Sequence, residues 1–161
     1  MFVEWYKRDK PTVLGAASGA VAGLAGITPA AGFVTPIAAI IIGLCLGILC
    51  YWGVSMKGRF GFDDSLDVVG VHGVGSSFGA IAIGLFATTA VNGAGRNGLL
   101  YGNYSLLGIQ VFSVVVVIVF SFVMTWLILK TLQKTMGLRV HEQEEVEGLD
   151  LSQHGESGYN F

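Results

Sequence analysis

Charge is scarce in this sequence. Its 161 residues include 9 Lys and Arg and 11 Asp and Glu, so charged side chains make up 12% against 53% hydrophobic ones. The mean hydropathy is +0.68. Ordinary soluble domains carry about twice that share of charge, so the composition excludes one and points to a lipid bilayer. Basic residues are too few and too scattered to hold phosphates, which excludes a nucleic-acid partner. Cysteine is down to two, Cys45 and Cys50, five apart in one apolar run. Helical geometry turns them to different faces, which argues against a local disulfide or metal pair. No nucleophile–base pair and no metal-ligand set stands out, so neither an enzyme nor a cofactor is expected. A signal peptide is lacking too, because Lys7, Arg8 and Lys10 follow the apolar residues instead of preceding them. Residues 1–10 read as the end of an upstream helix and a cytoplasmic loop.

Glycine and long apolar runs are abundant. There are 24 glycines, an excess that membrane helices use for close packing. Four apolar segments of membrane-crossing length follow, at about residues 12–27, 37–56, 65–88 and 104–136. The predicted fold is all-α, a polytopic membrane helix bundle over residues 11–136, with a cytoplasmic tail over residues 137–161. Pro11 is read in the first turn of the first span, and Gly15, Gly19, Gly23 and Gly26 as a smooth ridge on it. The fourth span has one glycine between Leu106 and Leu132 and many branched residues, which suits a lipid-facing surface. Its length exceeds the bilayer, so it should tilt or project, with Trp126 anchoring near the interface.

Lys7, Arg8, Lys10, Lys57, Arg59, Lys130, Lys134 and Arg139 fall on one side of a four-span topology, and Arg96 on the other. The positive-inside rule then puts both termini in the cytoplasm. The tail is acidic at Glu142, Glu144, Glu145, Glu147, Asp150 and Glu156, with Leu138, Val140, Val146, Leu149 and Leu151 interspersed. A solvated segment and one that docks on a cytoplasmic surface both fit that mixture.

The chain is organised around Asp63–Gly75. From Val68 to Phe86, His72 is the only ionisable residue. Such a group within a bilayer is costly and faces a partner or a pathway. Asp64 is placed as the helix N-cap with Asp67 three residues on, much like a capping box, and carboxylates there also meet the positive end of the helix dipole. Their structural role outweighs ligand binding. For His72 a packing group, a metal ligand and a pathway residue are all conceivable. Metal binding is the weakest, since the other two histidines, His141 and His154, lie in the tail. Gly70, Gly73, Gly75 and Gly79 leave room beside the ring. Imidazole can donate at one nitrogen and accept at the other, which suits a small polar solute or a proton relay. Packing and pathway both stay open on this ground alone.

Several stretches resemble the ammonium transporter (Amt/Mep/Rh) family. They are residues 10–24 (KPTVLGAASGAVAGL), 27–33 (ITPAAGF), 63–68 (DDSLDV) and 70–75 (GVHGVG), then GLRV at 137–140, EGLD at 147–150 and HGE at 154–156. Val69 and Ser76 depart from residues common there. The resemblance implies four transmembrane helices of an eleven-helix fold, itself two inverted five-helix repeats plus a strap helix. This chain would supply the end of the seventh helix, the eighth to eleventh, and the tail. By the same resemblance His72 is the second of two facing pore histidines, contacting ammonium or ammonia. Val68 lines the pore wall beneath it, Ser18 sits in the cytoplasmic vestibule, and Asp64 and Asp67 hold the helix start. Ammonium would give up its proton, and ammonia would pass a narrow apolar channel while the proton follows a relay, because a bare cation is costly to desolvate. A homotrimer in the plasma membrane and a PII-type signalling protein at the tail are implied as well. The alternative is a truncated, non-transporting membrane fragment, or a regulatory interaction module acting through its tail.

Overall fold

The computed structural model describes residues 1–158, with the Arg8 side chain left aside. Every regular element among them is helical. The chain divides into two compact units, Met1–Val116 and Val117–Phe161.

In the first unit, α1 (Phe2–Arg8) ends on a left-handed Asp9 (φ 58°), and α2 spans Val13–Ile27. Thr12 is the cap of α2, its hydroxyl accepting the Gly15 amide at 2.9 Å, so Pro11 stands outside the first turn. Threonine can cap the orphan amides and proline cannot, which decides the boundary. A short tight turn, Thr28–Ala30, leads to α3 (Pro36–Phe60), capped by Thr35 and stopped by a left-handed Gly61 (φ 65°). This helix outruns the predicted residue 56. Lys57 and Arg59 ride in its last turn, where cations meet the negative end of the dipole.

The histidine helix starts at Val68, later than the predicted Ser65. It opens with a wide π turn, Val69–Gly73, that runs without a break into α4 (Val74–Phe86). A short turn at Leu99–Tyr101 precedes α5 (Tyr104–Thr135), 32 residues long. At about 1.5 Å per residue α5 measures about 48 Å, against about 30 Å of hydrocarbon. None of its residues is buried. Among the described residues four stretches are long and apolar enough to cross a membrane: Val13–Ala30, Pro36–Phe60, Val69–Phe86 and Tyr104–Thr135.

The buried core sits among α2, α3 and α4. Helix α3 contributes Ala38, Ile42, Leu46 and Cys50, a strict step of four that keeps one stripe inside. Helix α2 contributes Ala22 and Gly26. Lipid tails are as apolar as leucine, so membrane helices are held by close packing, which small residues allow. Gly79 shows this directly, since a Cβ there would collide with the Gly26 carbonyl. Likewise Gly70 lies against the Val54 backbone, and Gly75 against the Cys50 sulfur. The two α3 partners are four residues apart and the two glycines five. A plain α-helix would carry those glycines to different faces, whereas a π turn takes up the extra residue and keeps both toward α3.

Within the second unit, α6 (Glu142–Glu147) is followed by a wide turn, Asp150–His154. The Arg139 guanidinium holds Glu145 with two bonds, Nε to Oε1 at 2.6 Å and Nη2 to Oε2 at 3.0 Å. Gln153 donates to Glu144 at 2.8 Å, and Asp150 accepts the Gly158 amide at 3.2 Å. The Arg139 hydrogen bond, reinforced by its charge, lowers the Glu145 pKa from its ordinary value. Asp150 is lowered as well, first by the Gly158 amide and then by the Leu151 amide.

Candidate functional site

His72 occupies the fourth position of the π turn and its side chain is exposed on the surface of the first unit. Val68 and Val69, just before it, are 48% and 54% exposed. Apolar residues and one imidazole thus share the start of the helix, while Gly70 and Val71 are buried.

The start itself is tied down by acids. Asp64 accepts the Val68 amide on Oδ1 at 2.8 Å and the Val69 amide on Oδ2 at 2.9 Å. Two orphan donors are satisfied by one carboxylate at the positive end of the helix. Asp64 does this from four residues upstream and not as the adjacent cap. Asp67 stands closest to the helix, in the left-handed region at φ 56°. Its amide donates to the Asp64 carbonyl at 3.1 Å and its carbonyl accepts the Val71 amide at 2.9 Å. The Asp67 carboxylate is ion-paired with the Lys57 ammonium. Lys57 also donates to the Asp64 carbonyl at 2.9 Å. The predicted capping box therefore does not form. Asp67 reaches across to α3, and Asp64 takes the amides.

A cavity of 390 Å³ opens beside this junction, lined among others by Glu4, Thr12, Ser18, Cys50, Lys57 and Asp67. It brings Ser18 and Asp67 together; Val68 and His72 are not in its wall. Glu4, only 8% exposed, accepts the Thr12 hydroxyl at 2.8 Å and the Thr12 amide at 3.2 Å. In the sequence Lys57 marks only topology, and Glu4 carries no signal. No sequence spacing signals either contact, because each is made across helices. Among the described residues no three His, Cys, Asp or Glu side chains gather as a metal set.

Residues 1–159 match the family described as the Ammonium Transporter Family. The chain belongs to that family. It is 54% identical over 160 residues to the ammonium transporter of Bacillus subtilis, covering 99% of this chain and 40% of the relative. With the ammonium transporter of Aquifex aeolicus the identity is 49%, covering 100% of this chain and 38% of the relative. The crystal structure of Candida albicans Mep2 superimposes with a TM-score of 0.82 at 35% identity, over 89% of this chain and 33% of that one. A second solved structure, a sensor Amt protein, gives 0.81 at 29% identity, over 94% of this chain and 37% of that one. The chain thus spans about two fifths of the length of the curated relatives it matches. As a member of the ammonium transporter family it is a multi-pass membrane protein. Its all-α fold is the one that the resemblance implied.

Proposed function

We propose that this chain serves transmembrane movement of ammonium or ammonia, as the C-terminal part of a transporter with a histidine-lined pore. The observation that carries this reading is the setting of His72. A single imidazole stands exposed on a glycine-opened π turn, in a helix with no other ionisable residue from Val68 to Phe86. An ionisable group in a membrane helix is retained for a pathway or a partner, and π turns recur at functional sites. His72 would contact the solute, Val68 would line the wall one turn before it, and Ser18 would face the cytoplasmic vestibule. Basic loops support cytoplasmic termini. A homotrimer and a PII-type partner at the tail belong to the same proposal.

The test is uptake of an ammonium analogue by the complete protein carrying His72→Ala. Uptake is expected to fall to background, and unchanged uptake overturns the assigned role. The alternative, a non-transporting module acting through its tail, is supported by the compact bonding around Arg139, Glu144 and Glu145. Under it, the full chain binds a PII-type protein in a tail-dependent way while adding no uptake.

A further inference from the structure

We infer that Lys57 is a positioning residue for His72, setting the π turn on which the histidine stands through a bridge from α3 to Asp64 and Asp67. This inference rests on the reading of His72 as a pore residue.

The ammonium of Lys57 has two acceptors, both in the segment that leads into the π turn. One is the Asp67 carboxylate and the other the Asp64 carbonyl, at 2.9 Å. Each acceptor residue then holds the turn by a different group. The Asp64 carboxylate binds the amides of Val68 and Val69, at 2.8 and 2.9 Å. The Asp67 carbonyl binds the amide of Val71 at 2.9 Å. Three of the four amides before His72 are thereby fixed by residues that Lys57 grips. Asp67 is also left-handed, a conformation that Asp tolerates but that costs energy and persists where its surroundings enforce it. Side chains of Lys57 and Asp67 are each about one third exposed (33% and 32%), so the pair is sheltered from full screening. Further along α3 the same turn is seated by packing alone, Gly70 against Val54 and the buried Val71 in the core, which fixes its depth, whereas the Lys57 bridge holds its open end. Arg59, two residues on in the same last turn, has no such position and is exposed.

The experiment is nitrogen NMR of the complete protein with labelled histidine, the His72 ring signals being assigned by their loss in His72→Gln. Lys57→Met is expected to displace those signals and change the tautomer ratio, while Lys57→Arg, which keeps two directed donors, leaves them in place. The double variant Lys57→Met/Asp67→Asn removes both charges and should stay displaced, since the bridge is still gone. Wild-type signals in Lys57→Met overturn the inference. So does recovery in the double variant, which would assign the effect to charge alone, or equal displacement in Lys57→Arg and in the control Arg59→Met. Should Lys57→Met fail to accumulate, Lys57→Gln gives the same reading. Transport by Lys57→Met should fall about tenfold or more in maximum rate with KM unchanged, as for a misplaced contact. Loss of uptake in none of these variants, His72→Ala included, would sink the pore reading and leave the spectroscopic result standing.

Discussion

Asp64 satisfies two backbone amides with one carboxylate, at the point where the histidine helix begins. Asp64→Ala is expected to cost about 1–2 kcal/mol, as the loss of a good cap does. Thermal unfolding in detergent measures it, and faster hydrogen exchange confined to Val68 and Val69 would localise it. Much of this residue-scale picture was legible. A lone imidazole in an apolar run stands out by subtraction, and acids before such a run suggest a capped start. What was not legible is the division of labour between the two acids. Left-handed aspartate is uncommon, so nothing in the sequence foretold that Asp67 would turn there and take Lys57. The π turn was equally silent, since five residues of ordinary helix-compatible sequence can wind either way.

At the scale of elements, glycines divide into those that another helix needs and those that face open space. Gly79→Ala must push a methyl into the Gly26 carbonyl and is expected to destabilise the bundle by about 1–3 kcal/mol. Gly43→Ala, with nothing within 4 Å, should be neutral or gain up to about 1 kcal/mol from helix propensity. Paired melting curves of the two variants check both, and equal destabilisation would contradict the packing described. The sequence showed a glycine ridge on α2 but not its use. Gly26 meets Leu46 and Gly15 meets Glu4, while Gly23 meets nothing. Periodicity reports a face, and only the neighbour decides which notches are filled. In the tail, Glu145 is held below its ordinary value of 4.5 by Arg139. Its contribution to α6 is therefore complete above that value and is lost as pH falls through the lower, folded one. Protection factors of the α6 amides, which correct for the slower intrinsic exchange in acid, should fall in that window, and Arg139→Gln should remove the effect.

For the whole molecule, α5 is the one of the four spans that adds no buried residue to the protein's own core. All 32 of its residues escape burial, and its most apolar 18-residue stretch is more apolar than that of any of the other three spans. Lipid is the solvent such a surface suits. With Trp126, 52% exposed, kept as the sole tryptophan, brominated lipids should quench its fluorescence more strongly from shallow than from deep positions. Deeper quenching would remove it from the interface. The number of spans and the exposed fourth helix could be read from hydropathy and glycine content, whereas α3's extra turn could not, because Lys57 and Arg59 mark a helix end in composition before the backbone ends at Gly61.

The five-against-four match of Gly70 and Gly75 to Val54 and Cys50 makes this stretch a frame, in the sense in which a code has one. Deleting Val71 or Gly73 would restore an ordinary helical wind, and Gly70 and Gly75, then four apart, would still face Val54 and Cys50. What would go is the wide turn itself, and with it the setting of the imidazole, while the glycine seam on either side stayed in register. A change of one residue here acts on the turn alone, so the extra residue, more than its identity, is what this stretch encodes.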